Sequence, residues 1–364
     1  GLVLLGYVGF LDPPKESAGP AIAALQQAGV AVKILTGDNP LVSRTVCANV
    51  GLATGQILTG AEIDAMDDAQ LGEALGRAHL CARLAPLQKE RIIGILKGQG
   101  HTVGFLGDGI NDAPALRAAD VGISVDDGVD IAKESADIIL LEKSLLVLHD
   151  GVLEGRRTFS NILKYVRMGA SSNFGNMLSV LGASALLPFV PMAPIQILTN
   201  NLLYDFSQVT IPSDHVDAEE VARPTPWAID RITRFILLVG PISSLFDYVT
   251  YAVMWFVFGA QTPAQAALFQ TGWFVESLMS QTLIIHVIRT NRLPFVQSRA
   301  SRPLLLTTLL VMAIGAWLPF SPLAPALGFV ALPPAYWGIL AAILLAYLSL
   351  AWGIKRALHA RAAV

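Results

Sequence analysis

The sequence predicts an open parallel α/β domain joined to an all-α membrane domain of six transmembrane helices. Three observations carry that prediction. Over residues 1–148, short β-branched runs alternate with amphipathic helical stretches, the pattern of a parallel sheet covered on both faces. One apolar strand, 103–106, runs straight into Gly107-Asp108-Gly109-Ile110-Asn111-Asp112. Farther on, charge disappears: residues 168–204 and 303–354 contain no Asp, Glu, Lys, Arg or His. A helix needs about 20 apolar residues to cross a bilayer, so each of these runs holds two crossings.

Taken in order, residues 2–10 read as an apolar strand and Asp12-Pro13-Pro14 as a turn. Helical spacing over 17–28 stops at Gly29, a residue that accepts the left-handed conformation closing many helices. A buried strand over 30–35 leads into Thr36-Gly37-Asp38, and Asn39-Pro40 opens a helix to about Val50. Proline is harmless there because first-turn N–H groups have no partner inside the helix. Further helices are expected over 88–99 and 112–119, with strands over 103–106, 121–125 and 136–141. Ligands of such sheets gather at the carboxyl ends of the strands, where Thr36-Gly37-Asp38 and the 107–112 turn both fall. Residues 145–167 read as a charged helix continuing into the first membrane segment, with 149–167 as a stalk. The membrane domain, 168–364, is expected to cross at about 168–188, 193–211, 234–258, 268–288, 303–319 and 335–354.

The loops test this drawing. Three of them, near 189–192, 259–267 and 320–334, carry no charge, whereas the opposite side holds Arg156, Arg157, Lys164, Arg167, Arg223, Arg231, Arg234, Arg289, Arg292, Arg299, Arg302, Lys355, Arg356 and Arg361. Basic residues stay in the cytoplasm, which places the soluble domain and the C-terminus there and requires an even number of crossings. Of the 364 residues only 15% are charged, well below the roughly one quarter of a soluble domain. A net charge of -3 gives no reason to expect nucleic acid. Cys47 and Cys81 both lie in the polar half and read as buried, reduced thiols. No signal peptide is visible. The chain opens on a strand without an initiating Met, which leads us to expect that part of a longer protein precedes it.

Asp108 and Asp112 offer hard oxygen ligands on a glycine-rich turn, a chemistry suited to Mg2+ beside a phosphoryl group. The competing reading is a capping Asp at a helix start. Thr36, Gly37 and Asp38 can offer a hydroxyl and backbone N–H groups to a phosphate, and Lys89 a compact cation. Each alone is more often a turn residue or a surface lysine; together in one sheet they point to a phosphate site. In the membrane half, Asn201 and Asp205 stand four apart on one helical face, and Asn173 and Asn176 three apart on another. Facing one another, these would give one cation a set of hard oxygens fit for Mg2+ or Ca2+. Hydrogen bonding between helices is the alternative for the asparagines. Asp247 and Glu276 are further membrane carboxylates, ranked lower because they can equally fix helix packing. His286 reads as interfacial.

These residues resemble the P-type cation-transporting ATPases, whose phosphorylation domain has the haloacid dehalogenase-like (Rossmann-like) fold. The matching motifs are Asp12-Pro13-Pro14, Thr36-Gly37-Asp38, Lys89 and the run from Gly107 through Asn111-Asp112-Ala113-Pro114-Ala115-Leu116. The resemblance implies that Thr36 contacts the phosphoryl group, Lys89 binds the aspartyl phosphate, Asp108 coordinates the catalytic Mg2+ and Asp112 supports it, with ATP as the substrate of the intact enzyme. It also implies a nucleophilic Asp in a DKTGT motif, which this sequence does not contain. That Asp, the nucleotide-binding and actuator domains and four more membrane helices are expected upstream, so the chain alone is expected to be inactive. Calcium pumps of the superfamily carry SSNxGE where Ser171-Ser172-Asn173-Phe174-Gly175-Asn176 stands here. One carboxylate fewer suggests a single ion that keeps part of its hydration shell, as Mg2+ commonly does. The run Asn201-Leu202-Leu203-Tyr204-Asp205-Phe206-Ser207-Gln208 is similar to the magnesium-transporting subgroup, whose members bring Mg2+ across the bacterial plasma membrane. The alternatives are a pump for Ca2+ or another cation, a phosphatase of the same soluble fold on a membrane anchor, and a non-catalytic remnant or partner.

Overall fold

The computed structural model describes residues 2–3, 5–6, 13–142 and 144–362, the last five as backbone. Most of the expected strand over 2–10, and Asp12, lie outside the described residues. The chain divides into two compact units, Gly1–Glu154 and Gly155–Val364.

The first unit alternates strands and helices as expected, and its described residues form two three-stranded parallel sheets where the alternation implied one. The first joins β1 (Ile34–Leu35), β3 (Ala78–Ala82) and β2 (Gln56–Thr59) in the order β1-β3-β2. The second joins β4 (Gly104–Leu106), β5 (Val121–Val125) and β6 (Ile138–Leu140) in the order β4-β5-β6. The two cores share a wall: Leu35 packs both against the cluster around Leu58, Leu71 and Leu75 and against that around Ile93, Phe105 and Leu116. The strand expected over 30–35 shrinks to its last two residues because only these pair with β3, at Leu80 and Cys81. Strands β2 and β3 were not anticipated. β3 reads Ala-His-Leu-Cys-Ala, without the β-branched residues that mark a strand in sequence, yet four of its five residues are buried.

Helix α1 (Ala18–Gln27) ends before Gly29, which takes a φ of +76°. Helix α2 (Pro40–Asn49) starts where Asn39 accepts the Leu41 N–H at 2.9 Å. Helices α3 (Gly60–Ala65) and α4 (Asp68–Arg77) each open on a capping box, at Thr59 with Glu62 and at Asp67 with Gln70. Helix α5 (Pro86–Gly98) begins two residues earlier than expected, since Pro86 fits a first turn. A 3-10 turn at Ile110–Asp112 precedes α6 (Ala113–Ala118), and α7 (Asp130–Ser135) follows β5.

Helix α8, Leu146–Leu186, contains the point at which the chain divides and continues unbroken through residue 168, as the sequence suggests. The second unit continues with α9 (Pro194–Gln208), α10 (Ala218–Ala222), α11 (Ile229–Ala252), α12 (Ala266–Leu283), α13 (Ile285–Ile288), α14 (Arg302–Trp317), α15 (Ala324–Leu327) and α16 (Pro334–Ala362). Among the described residues, three stretches are long and apolar enough to cross a membrane: Ile229–Val257, Arg302–Phe320 and Pro334–Ala357. The six-crossing drawing is therefore matched in part. Helix α9, at 15 residues, is about 22 Å long, short of the roughly 30 Å hydrocarbon thickness.

Helices α8 and α11 approach closely at Gly175 and Gly240. A Cβ on Gly175 would sit 2.7 Å from the Gly240 carbonyl oxygen, so glycine is what permits this contact. The Ser244 hydroxyl donates to the Gly175 carbonyl at 2.7 Å across the same seam. At one end of the unit, Asp214 is held between two helices. Its carboxylate accepts from Lys164 of α8 at 2.9 Å, from Arg289 beyond α13 at 2.7 Å and from the Ser301 N–H at 3.0 Å. Burial pushes the Asp214 carboxyl up, but these partners outweigh it and hold the group below its ordinary value.

Candidate functional site

In the first unit the structure forms two polar groupings, one after β1 and one after β4. In the turn after β1, the Thr36 hydroxyl donates to the Asp38 carboxylate at 3.0 Å and accepts the Asp38 N–H at 3.1 Å. This turn is gripped by the segment after β3: the Leu84 N–H donates to the Thr36 carbonyl and the Arg83 N–H to the Asp38 carbonyl, both at 3.0 Å. Arg83 takes a left-handed φ of 53° to do so, a conformation uncommon for a residue with a side chain. Sequence reasoning missed this clamp, because no spacing rule links residue 83 to residue 38.

The second grouping lies after β4. Lys89 of α5 meets Asp112 at 2.7 Å, with both side chains 13% exposed. The other Asp112 oxygen accepts the Gly109 N–H at 3.2 Å. Gly107 is obligatory here, since a Cβ would lie 2.6 Å from the Asp112 Cβ. Lys89, Asp112 and the glycines are thus brought together. Asp108 and Asn111 are exposed, and the Asp108 side chain makes no hydrogen bond or ion pair among the described residues. Its backbone is fixed by the Val129 N–H, which donates to the Asp108 carbonyl at 3.0 Å.

No three His, Cys, Asp or Glu side chains converge on a metal position among the described residues. Mg2+ does not demand three, since it is commonly bound by one or two carboxylates together with waters and substrate phosphates. The unpartnered Asp108 carboxylate on a strand-end turn fits that role, while Asp112 is already engaged by Lys89.

In the second unit, a cavity of about 240 Å3 lies between α8 and α9. Helix α8 lines it with Tyr165, Gly169 and Asn173, each one turn apart. Helix α9 lines it with Asn201, Tyr204, Asp205 and Gln208. Three of the four residues expected to face a cation therefore share one cavity. Asn176 does not: its amide oxygen accepts from Gln281 of α12 at 3.1 Å. The side chains of Asn173, Asn201, Asp205 and Gln208 make no hydrogen bond among the described residues. The wall behind them is fixed, since the Tyr204 hydroxyl donates to the Ser172 hydroxyl at 2.9 Å. Gln208 could have been found in the sequence, because it continues the Asn201–Asp205 stripe at the next turn.

Asp247 and Glu276 lie elsewhere in the unit and are both buried. Asp247 accepts from Ser179 at 2.6 Å and from the Trp273 indole at 2.8 Å, so Trp273 has a polar duty beyond packing. His286 is buried, with its ring centroid 5.0 Å from that of Phe295 and its Nε2 3.3 Å from the Thr308 hydroxyl.

Comparison with known proteins agrees with both halves. A family model described as haloacid dehalogenase-like hydrolase matches residues 3–120, and one described as cation transporting ATPase, C-terminus, matches residues 189–357. A magnesium-transporting ATPase, P-type 1, of Salmonella typhimurium is 58% identical over 97% of this chain, and its Escherichia coli counterpart 57% identical over the same share. An endoplasmic reticulum calcium ATPase of Aspergillus fumigatus is 32% identical over 75% of the chain and 29% of its own length. The chain spans 39% of the length of the two bacterial relatives. With the phosphate-site motifs on the first unit and the membrane-type helices on the second, the chain belongs to the P-type cation-transporting ATPases.

Proposed function

We propose that the chain is the C-terminal part of a pump that couples ATP hydrolysis, through an aspartyl phosphate, to import of Mg2+ across a bacterial plasma membrane. The carrying observation is the α8–α9 cavity, where the oxygens of Asn173, Asn201 and Asp205 stand without protein partners. The three side chains are exposed on this chain; within a bilayer a carboxylate and amides without partners would be costly, and a divalent cation with part of its water shell would satisfy them. Six crossings with a cytoplasmic first unit fit this reading, with the ion-facing helices α8 and α9 shielded by further helices of the pump.

In the first unit, Thr36 and the N–H groups of Gly37 and Asp38 would hold the phosphoryl oxygens. Lys89, swinging from Asp112, would neutralise their charge, and Asn111 lies on the same turn. Bound at Asp108, with Asp112 behind it, Mg2+ would draw charge from the phosphoryl oxygens. The long helix α8, its 149–167 stretch acting as a stalk, would carry the effect of phosphorylation to the cavity. Lys164 and the segment around Asp214 would keep that helix in register.

The test is Asp205→Asn in the complete pump, followed by Mg2+ flux into sealed vesicles, which separates transported from catalytic Mg2+. Flux should fall at least about 100-fold while the protein still inserts. Retained flux would remove the cavity from the ion path. Ca2+ moving in preference to Mg2+ through the unaltered pump would replace the magnesium reading with a calcium one.

A further inference from the structure

We propose that Gln208 is a ligand of the transported cation and sets its preference among divalent ions. This rests on the cavity being the ion site. Gln208 is 4% exposed and its amide oxygen is buried with no hydrogen-bond partner among the described residues. A buried amide of this kind is normally satisfied, because leaving it bare forfeits the hydrogen bonds it made in water. Nothing in the α9 helix requires an amide here: Ser207, its neighbour, satisfies itself by donating to the Tyr204 carbonyl at 2.6 Å. Gln208 also lines the cavity that holds Asp205.

Geometry sets what it can do there. Residues 205 and 208 are three apart, so their Cα atoms differ by about 4.5 Å along the helix axis. Mg2+ binds oxygen at about 2.1 Å and gives up its waters reluctantly. An ion held by Asp205 would therefore reach Gln208 through one of its own waters, or directly after a small shift along the cavity. Across from this position, α8 presents Gly169, where a Cβ would meet nothing within 4 Å, leaving room for that water shell. Tyr165 lies one turn further toward the charged stretch of α8. Gln208 thus lies between Asp205 and the basic side of the membrane domain. A neutral oxygen at this position supports a hydrated Mg2+ without trapping it, as a second carboxylate would.

The test compares Gln208→Leu, Gln208→Glu and Asp205→Asn in the complete pump, in sealed vesicles with Mg2+, Mn2+ and Ca2+ as separate probes. Gln208→Leu should raise the half-saturating Mg2+ concentration about tenfold with maximal flux within twofold. Gln208→Glu should restore affinity and move the Mg2+-to-Ca2+ preference at least about fivefold toward Ca2+, which a packing role would not do. Unchanged half-saturation in Gln208→Leu, with flux lost in Asp205→Asn, overturns the role of Gln208 alone and leaves the cavity reading standing. Intact flux in Asp205→Asn overturns both. If Gln208→Leu fails to insert, an unaltered ion preference in the nearly isosteric Gln208→Glu overturns the proposal by itself.

Discussion

Asp112 commits both of its oxygens inside the first unit, one to Lys89 and one to the Gly109 N–H. Removing Lys89 leaves that carboxylate largely enclosed with half its partners. Lys89→Met should therefore lower the stability of the unit by roughly 1–3 kcal/mol, measured by chemical denaturation, and abolish phosphorylation of the complete pump by ATP. At the same scale, Cys81 sits in β3 with its thiol pushed up to about 11, chiefly by burial, against a partial opposing pull from Lys33. The folded state keeps this proton to higher pH than the unfolded chain, whose thiol titrates near 9.0. The resulting contribution to stability is present below pH 9 and lost as pH rises toward 11. Iodoacetamide at pH 8 should leave Cys81 unmodified in the native protein and modify it after unfolding. Rapid native labelling would show that β3 is not buried as described.

Among elements, the segment between α9 and α11 is tied to α8 by several polar contacts, among them the buried Asp214 carboxylate and the Asn161 amide, which donates to the Pro212 and Asp214 carbonyls. Asp214 neutralises Lys164 and Arg289, whose side chains are 4% and 1% exposed. Asp214→Asn leaves two buried cations without their counter-charge and should cost about 3–5 kcal/mol, read as a lower midpoint of thermal unfolding in detergent. Because the folded Asp214 is held below its ordinary 3.8, its contribution is fully present above that value. It is lost as pH falls through the lowered folded value. The variant should accordingly unfold with a weaker pH dependence below about pH 4 than the native protein. The apolar helices show a parallel division of labour. The stretches that meet the length and apolarity of a membrane span are those of α11, α14 and α16. The cavity residues and Glu276 lie instead on α8, α9 and α12, whose buried Ser, Thr, Asn and Gln residues lower their hydropathy.

For the whole molecule, a unit that matches the haloacid dehalogenase-like hydrolases and one that matches the C-terminus of cation transporting ATPases occupy one chain that lacks the DKTGT motif. The chain expressed by itself should insert into membranes yet show no ATP hydrolysis above background in a phosphate-release assay. Steady turnover would mean that another carboxylate in it serves as nucleophile.

The sequence by itself determined the class of both units, since charge distribution, helical periodicity and the 107–112 turn are local properties of the chain. It also grouped Asn173, Asn176, Asn201 and Asp205 by helical spacing, and three of these four, Asn173, Asn201 and Asp205, line one cavity. Only the tertiary structure decided the rest. The split into two sheets depends on β3, whose small residues become a strand through burial between neighbours rather than through propensity. The grip of Arg83 and Leu84 on Thr36-Gly37-Asp38 joins residues more than forty positions apart. Asn176 lies outside the residues lining the cavity and accepts from Gln281, on a helix a hundred residues away. Such long-range pairings are selected by packing, in which most buried polar atoms find a partner, and a linear pattern carries no record of which partner that will be.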